Sequence, residues 1–231
     1  MRSPFRHSLR LIATREETSP ALRADAARNR RRVLAAAAAV FAERGLDAST
    51  AEIARRAEVG EATLFRRFPT KDALIVAVMQ DQFDQVIATA EACLQEPDPW
   101  HGLERFLTEM VAARASDIGA LEGVKDHCIT SPELDWHRRR VMELLAALVA
   151  RAQEAGVVRS DLTGQDLGML VTAAASVGGL PFRGVREDLW RRYLGVILDG
   201  LRPEGATRLR PGPPPRKLFE APTELGPRPG T

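Results

Sequence analysis

The sequence predicts an all-α fold of about nine helices. Three observations carry that expectation. Ala, Leu, Arg and Glu dominate, and the apolar residues recur at spacings of three and four. No stretch alternates apolar and polar residues long enough to make a half-buried strand. Proline gathers at the C-terminal end, where 8 of 15 lie from Pro203 onward, so the interior is left to helices. With 231 residues, 45% of them apolar, the chain can bury a real core.

Each element follows in order. Residues 1–24 lack periodicity, contain Pro4 and Pro20, and read as a mobile arm. A first helix is expected from Asp25 to Arg44, with Val33, Ala37, Val40 and Phe41 on one face and Gly45 as its cap. A second starts at Ser49, which forms S-x-x-E with Glu52, the pattern of a capping box, and ends near Ala57. Glu58-Val59-Gly60 turns the chain. A third helix covers Glu61 to Phe68, and Pro69 stops it. Thr70 caps a long fourth helix that runs through Leu94. Leu103, Phe106, Leu107, Met110 and Val111 then form one stripe. A short helix is expected near 120–128. Pro132 opens another long one, with Val141, Leu144, Leu145, Leu148 and Val149 inward. Two more cover about 163–180 and 185–201. From Pro203 to Thr231 the Pro-rich segment reads as a disordered tail.

Composition narrows the function classes. No apolar run has membrane-span length, and the basic N-terminus has no apolar stretch of signal-peptide length, so a cytoplasmic protein is expected. Cys93 and Cys128 are too few and too far apart for a disulfide framework or zinc site, and no metal or cofactor is expected. No H-E-x-x-H, P-loop, G-x-S-x-G or dinucleotide fingerprint occurs, which argues against an enzyme and names no catalytic residue. Residues 1–80 hold 15 Lys/Arg against 9 Asp/Glu, whereas the remainder holds 18 against 22. A basic front on a slightly acidic body suits a polyanion partner at the front only.

Residues 49–68 read helix, short turn, helix. In this pattern a first helix braces a second one that enters the DNA major groove. Ile53 and Leu64 face inward, Ala54 is small where the helices cross, and Val59 plugs the turn. The outward side offers Glu61, Ala62, Thr63, Phe65, Arg66 and Arg67. Arginine can chelate a guanine or hold phosphate, and Thr63 can bond phosphate or pack on a thymine methyl. Ser49, Thr50 and Gly60 lie at the two helix starts, and Lys71 begins the next helix, where free N–H groups can meet a phosphate. A plain helical hairpin with a charged face would show the same spacing.

The stretch "STAEIARRAEVGEATLFRRFPTKDAL" resembles the signature of the TetR (tetracycline-repressor) family of bacterial transcription regulators. Ser49, Ile53, Ala54, Ala57, Val59, Thr63, Leu64, Phe68, Lys71 and Leu74 fit that signature in order. "ARAQEAGVVRSDLTGQDLGMLV" and "LGVILDGLRP" are similar, more weakly, to the C-terminal domain of SbtR-like members. Some positions depart from the pattern. Glu58 stands where the family usually has Gly, a place that can require positive φ. Gly60 replaces the usual Ser cap, Ala62 the usual Gly, and Arg67 the usual His. Phe65 replaces a Tyr whose hydroxyl typically bonds phosphate.

The resemblance implies a DNA-binding domain over 25–72 and a ligand-binding and dimerisation domain over 73–202. It also implies a repressor that binds a palindromic operator as a homodimer and leaves it when a small, mostly hydrophobic molecule binds. The alternative is a DNA-binding regulator without a small-molecule inducer, controlled by a protein partner or by abundance. Candidate pocket walls are Phe83, Ile87, Phe106, Met110, Leu145 and Met169, although such residues are more often plain core; Arg114 is a candidate polar anchor that could instead snorkel outward or pair with an acid, and His127 one that is more often a satisfied core histidine. The dimer interface is expected on the last two helices, at Ala174, Gly178, Leu189, Trp190, Tyr193, Leu194, Ile197 and Leu201.

Overall fold

The computed structural model describes residues 20–116, 131–177 and 188–215. Among them are eight α-helices and no strand. They are α1 (Pro20–Arg44), α2 (Thr50–Arg56), α3 (Glu61–Arg67), α4 (Lys71–Leu94), α5 (Pro99–Ser116), α6 (Asp135–Glu154), α7 (Gly164–Ser176) and α8 (Trp190–Leu201). Short 3-10 turns sit at Gly45–Asp47 and Pro132–Leu134. The helix expected near 120–128 lies outside the described residues, as do Cys128 and most of the N-terminal arm.

Local chemistry sets most boundaries. α1 begins at Pro20, five residues before the expected start, because proline suits a first helical turn, where its missing N–H is not needed. Gly45 ends α1 at φ 70°. Ser49 Oγ accepts the Glu52 backbone N–H at 3.2 Å, but the Glu52 carboxylate pairs with Arg44 at 3.0 Å rather than closing the expected box. Thr70 Oγ1 caps α4 through the Ala73 N–H at 3.0 Å. A capping box that the sequence reading did not anticipate opens α7, where Thr163 and Asp166 satisfy each other's backbone.

Two apolar clusters organise the chain. The first joins α1, α2, α3 and the N-terminal half of α4, with Val40, Phe41, Ile53, Leu64 and Leu74 fully buried. It does not stop at residue 72. Ile75, Val78 and Met79 belong to it, and so does Leu134, which arrives from the segment before α6. The second cluster fills the space among α4 to α8, built around Phe106, Leu103, Leu107, Val111 and Leu167. α4 packs most extensively on α6, and α5 touches α6, α7 and α8. Phe83 packs against both clusters, so α4 links them. A Cβ on Gly164 would lie 2.7 Å from the Ala146 nitrogen, which shows how closely α7 starts against α6. Cys93 is a fully buried free thiol, and burial pushes its pKa up.

The tail departs from expectation. Pro203–Pro215 forms no helix, but it is tied to the body. Asp161 Oδ2 accepts the Leu209 backbone N–H at 2.8 Å, and Arg159 donates to the Thr207 carbonyl. Arg159 and Asp161 bond each other at 2.6 Å and 3.1 Å, so one ion pair fixes the strap. That pair and the Leu209 N–H hold the Asp161 carboxyl well below the usual carboxylate range.

Candidate nucleic-acid interface

α2 and α3 are seven residues each, too short to persist alone, so their support comes from packing. Ile53, Ala54, Ala57 and Leu64 are buried against α1 and α4. Glu61, Ala62, Thr63, Phe65, Arg66 and Arg67 are all exposed, as are Ser49 and Gly60, while Thr50 is half-buried. The outward residues of α3 are therefore left open to solvent.

Glu58 has φ 53°, the left-handed conformation that a glycine would adopt there without cost. Holding it costs about 1 kcal/mol. Arg32 of α1 reaches this turn. Its Nη2 donates to the Ala57 carbonyl at 2.7 Å and to Glu58 Oε2 at 2.8 Å. The ion pair is 48% and 83% exposed, so it is worth at most about 1 kcal/mol. The bond to the Ala57 carbonyl is part-buried and is the firmer half of the clamp. The sequence reading missed Arg32. The signal was Glu58 itself, since a strained residue in a tight turn needs support from a neighbour.

The basic residues divide by role. Arg56 bonds Glu43 at 2.6 Å, which ties α2 to α1, raises the Arg56 pKa and lowers that of Glu43. Arg28 pairs with Asp25, and Arg30 lies 5.7 Å from the Phe68 ring centre. Lys71 donates to the Leu46 carbonyl, so it braces the turn after α1. An ammonium has three donors, and two remain for another acceptor. Arg66 and Arg67 make no ion pair or hydrogen bond among the described residues, and their guanidinium forks are free to meet phosphate or a base edge.

The second cluster gives a mixed outcome. Phe83, Ile87, Phe106, Met110 and Leu145 come together in one apolar assembly, with Arg114 half-buried near the end of α5. His127 and Gly178 lie outside the described residues. Met169 does not line that interior. It is 43% exposed, because it shares the outward face of α7 with Ala173 and Ser176. An open groove of about 540 Å³ occurs elsewhere, between α4 and α6, lined by Glu91, Ala92, Leu94, Gln95, Arg140 and Leu144. The Glu91–Arg140 ion pair spans it at 2.6 Å. Among the described residues no cluster of three His, Cys, Asp or Glu could hold a metal, and no helix is long and apolar enough to cross a membrane.

The expected interface splits. Ala174, Trp190, Leu194 and Leu201 are buried in the chain's own core, and Leu189 and Ile197 are half-buried. The first four therefore serve the fold of the single chain. Tyr193 stays 46% exposed and Val196 67% exposed, so a second apolar edge runs along the outside of α8. Val196 was missed. Its spacing from Tyr193 was the available signal, because residues three apart share a helix face.

Comparison with known proteins agrees with this geometry. Residues 33–78 match the model of bacterial regulatory proteins of the tetR family, and residues 98–203 match the C-terminal domain of SbtR-like transcriptional regulators. A search of curated proteins returns no match. A TetR transcriptional regulator from Streptomyces coelicolor is similar at 31% identity and a TM-score of 0.60, over 75% of this chain and 98% of its own. A TetR transcription regulatory protein from Mycobacterium vanbaalenii is similar at 35% identity and a TM-score of 0.59, over 78% and 99%. The fold is shared with a transcriptional regulator from Saccharomonospora viridis solved in complex with choline, at 19% identity, a TM-score of 0.60, and 75% and 96% coverage. Matched in both its clusters, and above 30% identity to two regulators along nearly their whole length, the chain belongs to the TetR family of DNA-binding transcription regulators, which are not enzymes.

Proposed function

We propose that the protein is a cytoplasmic repressor that binds a palindromic operator as a homodimer and is released by a small, mostly hydrophobic ligand. The observation that carries the DNA reading is the free pair Arg66 and Arg67 beside exposed Thr63 on a helix whose only buried residue is Leu64. A seven-residue helix reads few base pairs, and a two-fold pair of them reads a half-site each. The exposed edge of Tyr193 and Val196 on α8, with Met169 and Ala173 on α7, supplies an outer apolar surface for the partner copy. A ligand response is typical of the family, and a protein of shared fold from S. viridis was solved with choline bound, which supports this part of the reading. α4 offers the route, since it begins at the DNA side and packs among the candidate pocket walls. A ligand that binds the non-DNA arrangement more tightly lowers operator affinity, with coupling of about 1–3 kcal/mol.

Selection from a random duplex library is the test. The expected result is an enriched palindrome, bound by a dimer in light scattering and weakened steeply by salt. Absence of any enriched palindrome would sink the reading. Titration of candidate ligands with and without operator tests release, because reciprocity requires operator to weaken ligand binding by the same factor.

A second reading keeps DNA binding but drops the inducer. It is favoured by the packing of Phe83, Ile87, Phe106, Met110 and Leu145 into one continuous cluster. Equal ligand affinity with and without operator would select it.

A further inference from the structure

α3 is held by little. Leu64 is its only buried residue, and Gly60, which precedes it, has no side chain to cap it. Phe68 closes the far end, buried, with the Arg30 guanidinium 5.7 Å from its ring centre. The direction in which α3 leaves α2 is therefore set by Glu58, Val59 and Gly60.

That turn has a defined form. The Glu58 N–H donates to the Arg55 carbonyl at 3.2 Å, and the Val59 N–H to the Ala54 carbonyl at 3.0 Å. This pair of bonds is the Schellman ending of a helix, which needs a left-handed residue between them and usually takes glycine. Glu58 fills the place at φ 53°. Arg32 holds it from both sides of the strained bond. One Nη2 donates to the carbonyl of Ala57, just before it, and to the carboxylate of Glu58 itself. The Ala57 carbonyl lies at the end of α2, where carbonyls lack a helical partner and a cation is favoured.

The clamp lies outside the apolar cluster. Arg32 and Glu58 are exposed, and Ile53, Ala54, Ala57 and Leu64 pack without them. What the clamp restrains is rotation at one residue. Seven helical residues span about 10 Å, so a swing of about 10° moves the Arg66 and Arg67 end by about 2 Å. That is enough to lose a hydrogen bond.

We propose that Arg32 is a positioning residue for operator binding: it pins Glu58 in the left-handed conformation and so aims α3, without itself meeting DNA. The proposal rests on the reading of α3 as the helix that docks, and its test separates the two.

The test is a set of affinities of the full chain for the palindrome enriched from a random library. A turn released from its clamp holds the docking conformation for a smaller share of the time, and apparent affinity falls by that share. Arg32→Ala should weaken binding about fivefold for each protomer that docks, with the salt dependence unchanged. In a Glu58→Gly background glycine reaches the left-handed conformation unaided, and there Arg32→Ala should cost less than about twofold. Glu58→Ala and Glu58→Gly remove the same carboxylate and differ only in the backbone they favour, so Glu58→Ala should bind about threefold more weakly. Far-UV circular dichroism checks that each variant is folded. Should Arg32→Ala not fold, the Glu58→Ala and Glu58→Gly pair decides alone. An equal Arg32→Ala loss in both backgrounds, with a flatter salt dependence, would make Arg32 a phosphate contact and overturn the clamp. No loss in the native background overturns it too, as do equal affinities of Glu58→Ala and Glu58→Gly. A library that yields no enriched palindrome overturns the docking of α3, and the role of Arg32 with it.

Discussion

α3 and α8 both carry large apolar and charged side chains, yet they use them in opposite ways. α3 buries Leu64 and exposes everything else, so its outer residues are available and its inner one is scaffold. α8 carries apolar residues on more than one side: Trp190, Leu194 and Leu201 go inward, Tyr193 and Val196 outward. In the short helix, polarity alone tells scaffold from function. In the long one it does not, because a leucine for the core and a tyrosine for a surface look alike until the neighbouring helices are placed.

The sharpest way to break that comparison is in α8. Leu194→Ala should destabilise the chain by about 2–5 kcal/mol, as buried leucine truncations do. Urea unfolding measures it. Val196→Asp, on the outer edge, should leave the unfolding midpoint of the monomer nearly unchanged and abolish the dimer in light scattering. If both substitutions acted on folding alone, the division of α8 into two edges would be wrong.

α3 comes next. Arg66→Ala or Arg67→Ala should weaken operator binding by about 1–3 kcal/mol where the guanidinium reads a base. Thermal unfolding should not move, since neither residue has an internal partner among those described. Fluorescence anisotropy at two salt concentrations separates a base reader from a phosphate contact, because a lost phosphate contact flattens the salt dependence.

A smaller effect sits between the helices. Glu58→Gly relieves the positive φ but surrenders the exposed ion pair to Arg32, so a net stabilisation of less than about 1 kcal/mol is expected. Arg32→Ala should cost more in the native background than in Glu58→Gly, and a double-mutant cycle by denaturant unfolding reads the coupling. Additive effects would show that the clamp does not support the turn.

The smallest effect is local. Asp161 has its carboxyl pKa lowered, so its contribution is present above the ordinary carboxylate value of about 3.9 and fades as pH falls below it. Hydrogen exchange of the Leu209 amide should therefore quicken relative to the body on acidification. Asp161→Asn should already show the faster exchange at neutral pH.

Legibility follows the range of the interactions. Gly45, Ser49, Thr70 and the strained Glu58 were readable, because a cap or a turn is decided within four residues. The candidate reading surface followed, since the exposed side of a short helix is fixed by its one buried residue. Arg32 is 25 residues from the carbonyl that it holds, and Asp161 is 48 from the amide that it accepts. Neither distance leaves a mark in a local pattern, and the tail was accordingly expected to be unattached from Pro203. The exposure of Met169 and the burial of Leu194 in the chain's own core went unread for a related reason. Periodicity shows that a helix has an apolar face, but which neighbour meets that face is settled by the packing of whole helices.

Leu134 bears on how this protein could be recombined. It is fully buried in the cluster of α1 to α4, although it lies some sixty residues beyond the motif. A chimera joined at residue 72 would cut Leu74, Ile75, Val78 and Met79 from that cluster and leave Leu134 without its socket. The DNA-reading unit is therefore not a detachable cassette. A graft that keeps it intact has to carry α4 past Met79 and present a leucine-sized plug where the acceptor chain begins its own α6.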